Sequence, residues 1–171
     1  MAQVTGISWL VGTSNIANAS IKGGKVYGGI GGREFCLKTV DFDYDPGTSR
    51  RFVLGNTPFK DAPVKPMLDP DWNDPRKLLP VRTEIVNDLH KYIRFAPAPD
   101  DDNWNLDFVF VNVYRGDKEF VVSFATPSDL TGLWLGPRSG MVVHLTTVYR
   151  DEQKASAVAR ERVARLMASQ Y

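Results

Sequence analysis

Two clusters of aspartates carry the residue type best suited to binding a metal ion. The members are Asp41, Asp43 and Asp45 in the first cluster and Asp100, Asp101 and Asp102 in the second. The first three alternate, so an extended backbone would direct their carboxylates to one side. Calcium prefers such oxygen ligands, but Pro46 and Phe52 stand where an EF-hand loop needs glycine and glutamate. We expect a solvated acidic turn that caps backbone amides, with a calcium site as the alternative.

No other set of residues has the spacing of a catalytic or cofactor site. His90 and His144 have no further zinc ligand at a suitable spacing, so sheet histidines are expected. The single cysteine, Cys36, excludes an internal disulfide and suggests a buried, inert thiol in a strand. The glycine-rich run 28–32 lacks the lysine and hydroxyl residue of a phosphate loop. We therefore expect no enzymatic activity and no cofactor other than calcium, and a small hydrolase is the least favoured alternative.

Charge and hydropathy narrow the range of partners. The chain has 171 residues, and 21 lysines and arginines against 20 aspartates and glutamates give a net charge of +1. Nucleic-acid binders usually carry a basic excess, so no nucleic-acid partner is expected. The first residues lack the basic and apolar regions of a signal peptide, and no run approaches the ~20 apolar residues of a membrane helix. A cytoplasmic protein is the expectation.

Short stretches rich in β-branched and aromatic residues indicate a mainly β fold. Glycine and proline separate them at fairly regular intervals, as in sandwiches and barrels. The predicted strands are 4–11, 25–30, 34–40, 51–54, 91–95, 105–114, 119–125 and 141–149. In the clearest of these, Leu106, Phe108 and Phe110 should share one face, and the valines at 109, 111 and 113 the other. Such a strand should be covered on both faces.

A proline-rich segment, residues 57–88, interrupts the strand pattern. Proline removes backbone donors and fixes φ, so this segment is expected to be a long ordered loop or an insertion. A short helical turn is expected within it at 83–89. Trp72 lies in the polar sequence DPDWNDP and is the best candidate for an exposed aromatic that contacts a partner. The other role, which is the more common one for a tryptophan in an ordered loop, is that Trp72 pins the loop to its own domain.

The C-terminal extension, residues 151–171, predicts one helix. It contains neither proline nor glycine, and an apolar stripe runs along it. The stripe consists of Ala155, Ala159, Val163, Leu166 and Gln170, with Val158 and Met167 beside it. Because this stripe must be buried, we expect the helix to fold back on its own sandwich. Otherwise Val163, Leu166 and Met167 would contact a partner or a second copy of the chain.

Three sequence blocks, in this order, resemble the PLAT (lipoxygenase-homology) domain family. They are VYGGIGGREFCL at 26–37, DFDYDPGTSRRFVLG at 41–55, and the segments YIRF, WNLDFVFVNV, FVVSF and LWLG between 92 and 136. The resemblance covers about residues 20–136 and implies an antiparallel β-sandwich of two sheets with about eight strands. It also implies that loops at the sandwich tip can bind calcium and dock on membranes. The proline-rich insertion, the helix and the absence of an acid at 17–20 depart from the family pattern.

Residues and resemblance together predict one PLAT-like sandwich, residues 1–150 with the insertion 57–88, followed by the helical extension 151–171. The apolar residues from Val26 to Leu135 should close two layers around Trp104 and Trp134. The expected function is a binding module for protein or lipid surfaces. The alternative is a structural subunit of a larger homo- or hetero-oligomer, in which the proline-rich loop and the helix serve as inter-subunit arms.

Overall fold

The computed structural model describes residues 2–39, 43–58, 66–99, 103–116, 119–149 and 152–168. Within these ranges the chain forms ten β-strands, one 3-10 turn at Thr83–Ile85 and one helix, α1, at Glu152–Ala168. The strands are β1 (Val4–Thr13), β2 (Lys25–Ile30), β3 (Arg33–Cys36), β4 (Ser49–Gly55), β5 (Tyr92–Ala96), β6 (Trp104–Arg115), β7 (Glu119–Ala125), β8 (Leu133–Leu135), β9 (Val142–His144) and β10 (Thr146–Tyr149). The predicted mainly β composition is confirmed.

The strands form two antiparallel sheets. The larger has six strands in the order β10-β7-β6-β1-β4, with β8 also paired to β6. The smaller has four strands in the order β3-β2-β5-β9. Apolar side chains from both sheets share a core, whose largest fully buried members include Trp9, Phe52, Phe95 and Trp104. This arrangement is the predicted antiparallel β-sandwich.

Strands β1 and β6 occupy the centre of the larger sheet and are buried on both faces, as predicted for β6. The predicted assignment of side chains to the two faces of β6 is wrong for Leu106. Leu106 lies in the sandwich core with Val109, whereas Phe108 points to the outer face of the sheet. The cause is a register shift between the pairs Gly12–Phe108 and Thr13–Leu106. Such a bulge places an extra residue in one strand and moves the following side chains to the other face.

Helix α1 covers part of the outer face of the larger sheet. Ala159 is buried there and Val163 packs beside it, against an apolar cluster of the sheet that contains Leu10, Phe108, Phe110 and Ala125. The Arg162 guanidinium donates hydrogen bonds to the Thr126 hydroxyl (3.0 Å) and the Thr126 carbonyl (3.2 Å) just after β7. The prediction that the helix folds back on its own sandwich is confirmed. Among the described residues, no helix combines the length and apolarity needed to cross a membrane.

The last predicted strand, 141–149, is two strands in the structure. Strand β9 pairs with β5 in the smaller sheet, whereas β10 pairs with β7 in the larger sheet. Leu145 lies between them, is buried in the core, and donates its backbone N–H to the Lys91 carbonyl (2.8 Å). The chain therefore changes sheets at Leu145, which a continuous run of β-forming residues does not reveal.

The two tryptophans predicted to lie in the core have different environments. Trp104 is fully buried, and its indole N–H donates to the Thr13 hydroxyl (3.0 Å). Its ring meets those of Tyr44 and Phe95 edge-on, at centroid distances of 5.2 and 6.1 Å. Trp134 is 41% exposed, so its predicted burial is wrong. In β8 the neighbouring leucines face the core, and strand alternation turns the intervening indole outward.

Candidate functional site

The segment 66–80, which we call the docking loop, is fixed to the sandwich by one arginine of β3. The Arg33 guanidinium donates hydrogen bonds to the carbonyls of Asp74 (2.9 Å), Lys77 (2.8 Å) and Leu79 (3.2 Å), and also to that of Trp72. Partial burial lowers the pKa of Arg33, and the Asp74 carboxylate opposes this shift. The guanidinium stays charged, so its bonds are charge-assisted. One side chain therefore holds four points of the loop backbone.

A buried asparagine adds a second attachment. Asn73 accepts a hydrogen bond from the Cys36 backbone N–H (2.8 Å) and donates one to the Leu68 carbonyl (2.8 Å). These two bonds therefore link the backbone of edge strand β3 to the docking loop. Next to it, the Asp74 carboxylate accepts bonds from the backbone N–H and the guanidinium of Arg76. Burial would raise the pKa of Asp74, but the bonds from Arg76 prevail and lower it.

The docking loop displays large apolar side chains to solvent although its backbone is fixed. Trp72 is 62% exposed, Leu78 63% and Leu79 76%. Leu78 also has a φ of 60°, a left-handed conformation that is costly for a leucine. Backbone strain of this kind persists only where the surroundings impose it, and it is frequent at ligand-binding positions. The loop thus holds three apolar groups outward in a defined arrangement.

A groove of about 720 Å³ lies between the docking loop and the outer face of the smaller sheet. Tyr27 and Cys36 form its floor, and Trp72 and Leu78 lie on the loop side. The Cys36 thiol is partly buried, and this burial raises its pKa. It is therefore held as a neutral thiol rather than a reactive thiolate. The groove therefore offers a surface for binding, and the Cys36 thiol on its floor is not activated as a nucleophile.

The sheet beneath the groove is stiffened by an ion pair. Arg94 stacks on the Tyr27 ring at 4.4 Å and forms a double hydrogen bond with Glu34, both contacts 2.8 Å. The Tyr92 hydroxyl donates a third bond to the Glu34 carboxylate (3.0 Å). The hydrogen bond from Arg94 lowers the pKa of Glu34, and burial raises the pKa of Tyr92. All four side chains lie on one face, which fixes the floor of the groove.

The aspartates proposed as calcium ligands differ in their surroundings. Asp43 is buried, and its carboxylate accepts bonds from the backbone N–H (2.7 Å) and hydroxyl (2.6 Å) of Thr39. Asp45 is exposed, and its carbonyl accepts the Thr48 hydroxyl (2.7 Å). Asp41, Asp100, Asp101 and Asp102 lie outside the described residues. In the part of the chain that the structure describes, no three histidine, cysteine or acidic side chains are grouped for a metal. Calcium binding stays a prediction.

The remaining predicted contact residues lie on α1. Val163 packs against its own sheet, and Met167 is exposed near the end of the helix. The Leu166 side chain lies outside the described part of the structure. His90 and His144 lie on the surface beside β5, with ring centroids 5.4 Å apart. His144 belongs to β9, which is the edge of the smaller sheet opposite to β3, where the docking loop is anchored.

Sequence reasoning found Trp72 but missed its partners in the docking loop. Leu78 and Leu79 stand in the sequence RKLLP, where two leucines between charged residues and a proline suit neither a strand nor an amphipathic helix. This mismatch with both regular structures is the feature of the sequence that could have indicated exposed leucines in a loop. The anchoring role of Arg33 left no signal in the sequence, because its hydrogen bonds to the loop go to backbone carbonyls far along the chain.

Comparison with solved structures supports the fold. The chain is similar to alpha toxin from Clostridium absonum, with a TM-score of 0.50 and 15% identity over 85% of this chain. The match covers 32% of the toxin chain, so this chain spans about a third of that length. No protein-family model and no curated protein sequence matches. At this identity the likeness concerns the fold alone, and it supports a PLAT-like β-sandwich.

Proposed function

We propose that this chain is a non-catalytic binding module that docks reversibly on lipid surfaces through Trp72, Leu78 and Leu79. The observation that carries the proposal is the combination of a fixed backbone with exposed apolar side chains. Arg33 holds the loop by four carbonyls, while the three side chains remain 62–76% exposed. Exposed apolar side chains do not stabilise a fold in water. In a binding surface, however, a fixed backbone holds them in the arrangement that binding requires.

The binding free energy that these three side chains can supply suits a weak, reversible contact. Full burial of a large apolar side chain is worth about 1.5–3 kcal/mol. Three side chains that are already partly covered can supply about 4–6 kcal/mol, which corresponds to dissociation constants between about 1 mM and about 40 µM. Tryptophan favours the membrane–water interface, and leucine favours the hydrocarbon beneath it. The docking loop therefore has the composition of a shallow membrane anchor.

Patch size favours a lipid surface over a folded protein partner. A standard protein interface buries about 800 Å² on each side. The exposed parts of one tryptophan and two leucines amount to roughly 400 Å² or less. A membrane accepts small insertions, because the bilayer adapts to the side chains that enter it. The alternative of a structural subunit receives less support, because its proposed helical arm packs on its own sheet through Ala159 and Val163.

Vesicle co-sedimentation tests the proposal. Phosphatidylcholine vesicles are mixed with the wild-type chain, with Trp72→Ala, and with the double variant Leu78→Ser, Leu79→Ser, each with calcium or with a chelator. We expect wild-type binding and a loss of about tenfold or more in both variants. Trp134→Ala is the matched control, since it removes an exposed tryptophan elsewhere on the surface. Absence of wild-type binding under both conditions, or equal binding by all variants, would refute lipid docking.

A further inference from the structure

The fold brings the two histidines of the chain together on the outer face of the smaller sheet. His90 and His144 are its only histidines, and they lie far apart in the sequence. In the structure their ring centroids are 5.4 Å apart, and the ring planes form an angle of 57°. Both side chains are exposed. Because neither side chain is part of the core, core packing does not explain why they meet.

The pairing of β5 with β9 determines the separation of the two histidines. Tyr92 is paired directly with His144, so their side chains share one face of the sheet. The Leu145 N–H donates to the Lys91 carbonyl (2.8 Å), which extends this pairing by one residue toward His90. His90 therefore lies diagonally across from His144, at a separation where side chains of neighbouring strands make contact.

The His144 imidazole is also oriented by a neighbouring ring. Tyr92 meets it edge-on, at a centroid distance of 6.3 Å. The Tyr92 ring is itself held in place, since it lies so close to Gly29 that a Cβ there would be 2.3 Å from it. Its hydroxyl donates a hydrogen bond to Glu34 (3.0 Å). The contact with a fixed ring restricts the rotation of His144, which lowers the entropy that a bound ligand must remove.

The two cations on the neighbouring part of β5 do not oppose a positively charged ligand at this position. The Lys91 ammonium lies 5.2 Å from the centroid of the core residue Phe124, which is on the inner side of the sheet, and donates to the Asn87 carbonyl (2.8 Å). The Arg94 guanidinium is paired with the Glu34 carboxylate. A metal ion between the imidazoles therefore meets no unpaired positive charge from these two side chains.

We propose that His90 and His144 together bind one divalent transition-metal ion of the Ni²⁺, Cu²⁺ and Zn²⁺ group. Imidazole suits these metals, whereas Ca²⁺ and Mg²⁺ prefer oxygen ligands. With a zinc–nitrogen bond of about 2.0–2.1 Å, two rings at the tetrahedral angle have their centres about 5.2 Å apart, close to the observed separation. Two imidazoles are fewer than the three or more side chains of a closed centre, which the described residues do not form, so water completes the coordination.

Isothermal titration with Zn²⁺ tests the assignment on the chain without an affinity tag, because tag histidines would bind the metal. We expect one ion per chain, and an affinity that falls about tenfold or more in both His90→Gln and His144→Gln. Both side chains are exposed, so the urea midpoints of these variants in the presence of a chelator should equal that of the wild type. Zn²⁺ should raise the midpoint of the wild type more than that of either variant, because the metal binds the folded chain.

Asp45→Asn is the matched control, since it removes an exposed carboxylate of the predicted calcium cluster, and it should bind Zn²⁺ like the wild type. Excess Ca²⁺ should leave Zn²⁺ binding unchanged. No binding by the wild type, or an equal loss of affinity in Asp45→Asn, would overturn the assignment. Two ions per chain, or wild-type affinity in either histidine variant, would show that the histidines act separately and would overturn the shared site. None of these outcomes depends on whether the docking loop binds phosphatidylcholine.

Discussion

Replacing Arg33 by alanine should release the docking loop without unfolding the sandwich. The substitution removes the hydrogen bonds to the carbonyls of Trp72, Asp74, Lys77 and Leu79. A bond to a charged donor contributes about 1.5–3 kcal/mol when buried and much less when water can replace it. Since three of the four contacts are exposed, we expect a total loss of about 2–3 kcal/mol.

Amide hydrogen exchange measures this loss locally. The N–H groups of Asn73 and Lys77, and that of Val81 directly after the loop, are bonded to the loop carbonyls of residues 69, 74 and 75. Their protection should fall by about 30- to 150-fold, which is the equivalent of 2–3 kcal/mol. Protection of β6 should stay unchanged, because its ladder does not involve the loop. Vesicle binding should fall with the loss of loop order.

The refuting result is loop protection in Arg33→Ala equal to that of the wild type. The other attachments of the loop, such as the two bonds of Asn73 and the bond from the Gln3 amide to the Arg76 carbonyl, would then suffice to hold it, and the account of Arg33 as the principal anchor would be wrong. Arg115→Gln is the control, since it removes a guanidinium whose exposed pair with Glu119 closes the β6–β7 hairpin and makes no bond to the loop backbone. It should leave loop protection and vesicle binding unchanged.

Three further predictions concern stability. Gly28→Ala should cost about 1–3 kcal/mol in urea unfolding, because its Cβ would lie 2.4 Å from the Trp9 indole, and an unchanged midpoint would contradict that contact. Arg162→Ala should lose about 1–2 kcal/mol and raise amide exchange in α1, and equal exchange would show that apolar packing alone holds the helix. Glu34→Gln should cost about 0.5–1 kcal/mol at pH 7, since its pair with Arg94 is partly exposed. The Glu34 pKa is lowered in the folded state, so this carboxylate stabilises the fold above its unfolded pKa of about 4.3. That contribution disappears as pH falls through the folded pKa, and a cost that does not decrease with falling pH would contradict the assignment.

The sandwich could be predicted from the sequence because its strands carry local signals. Gly31 and Gly32 marked the β2–β3 hairpin, and both adopt positive φ there. The apolar content of β6 correctly indicated burial on both faces. The bulge that returns Leu106 to the core was not predictable, because it depends on the pairing of β6 with β1. The change of sheet at Leu145 was not predictable either, because β-forming residues continue on both sides of it.

The candidate site was less accessible to prediction than the fold. Proline content correctly located an irregular segment, and the polar context of Trp72 correctly suggested an exposed aromatic. Exposure of Trp134 was missed, because alternation in a three-residue strand leaves too few positions to decide which side faces inward. The groups that orient the site act through backbone carbonyls or across long sequence separations. Such contacts have no compositional signature, so only the tertiary structure reveals them.

The pairing of β1 with β6 has a consequence for how the chain acquires its shape. Val4 lies opposite Arg115, so β1 can pair with β6 only after the chain between these two residues has emerged from the ribosome. Such high contact order slows folding, because a long stretch of chain must be closed before the ladder forms. Strand β4 can pair with β1 earlier, but until β6 arrives the other edge of the apolar segment Ile7–Val11 has no partner strand and is prone to aggregation. Recombinant production should therefore benefit from low temperature or added chaperone, even though the finished sheet buries that segment completely.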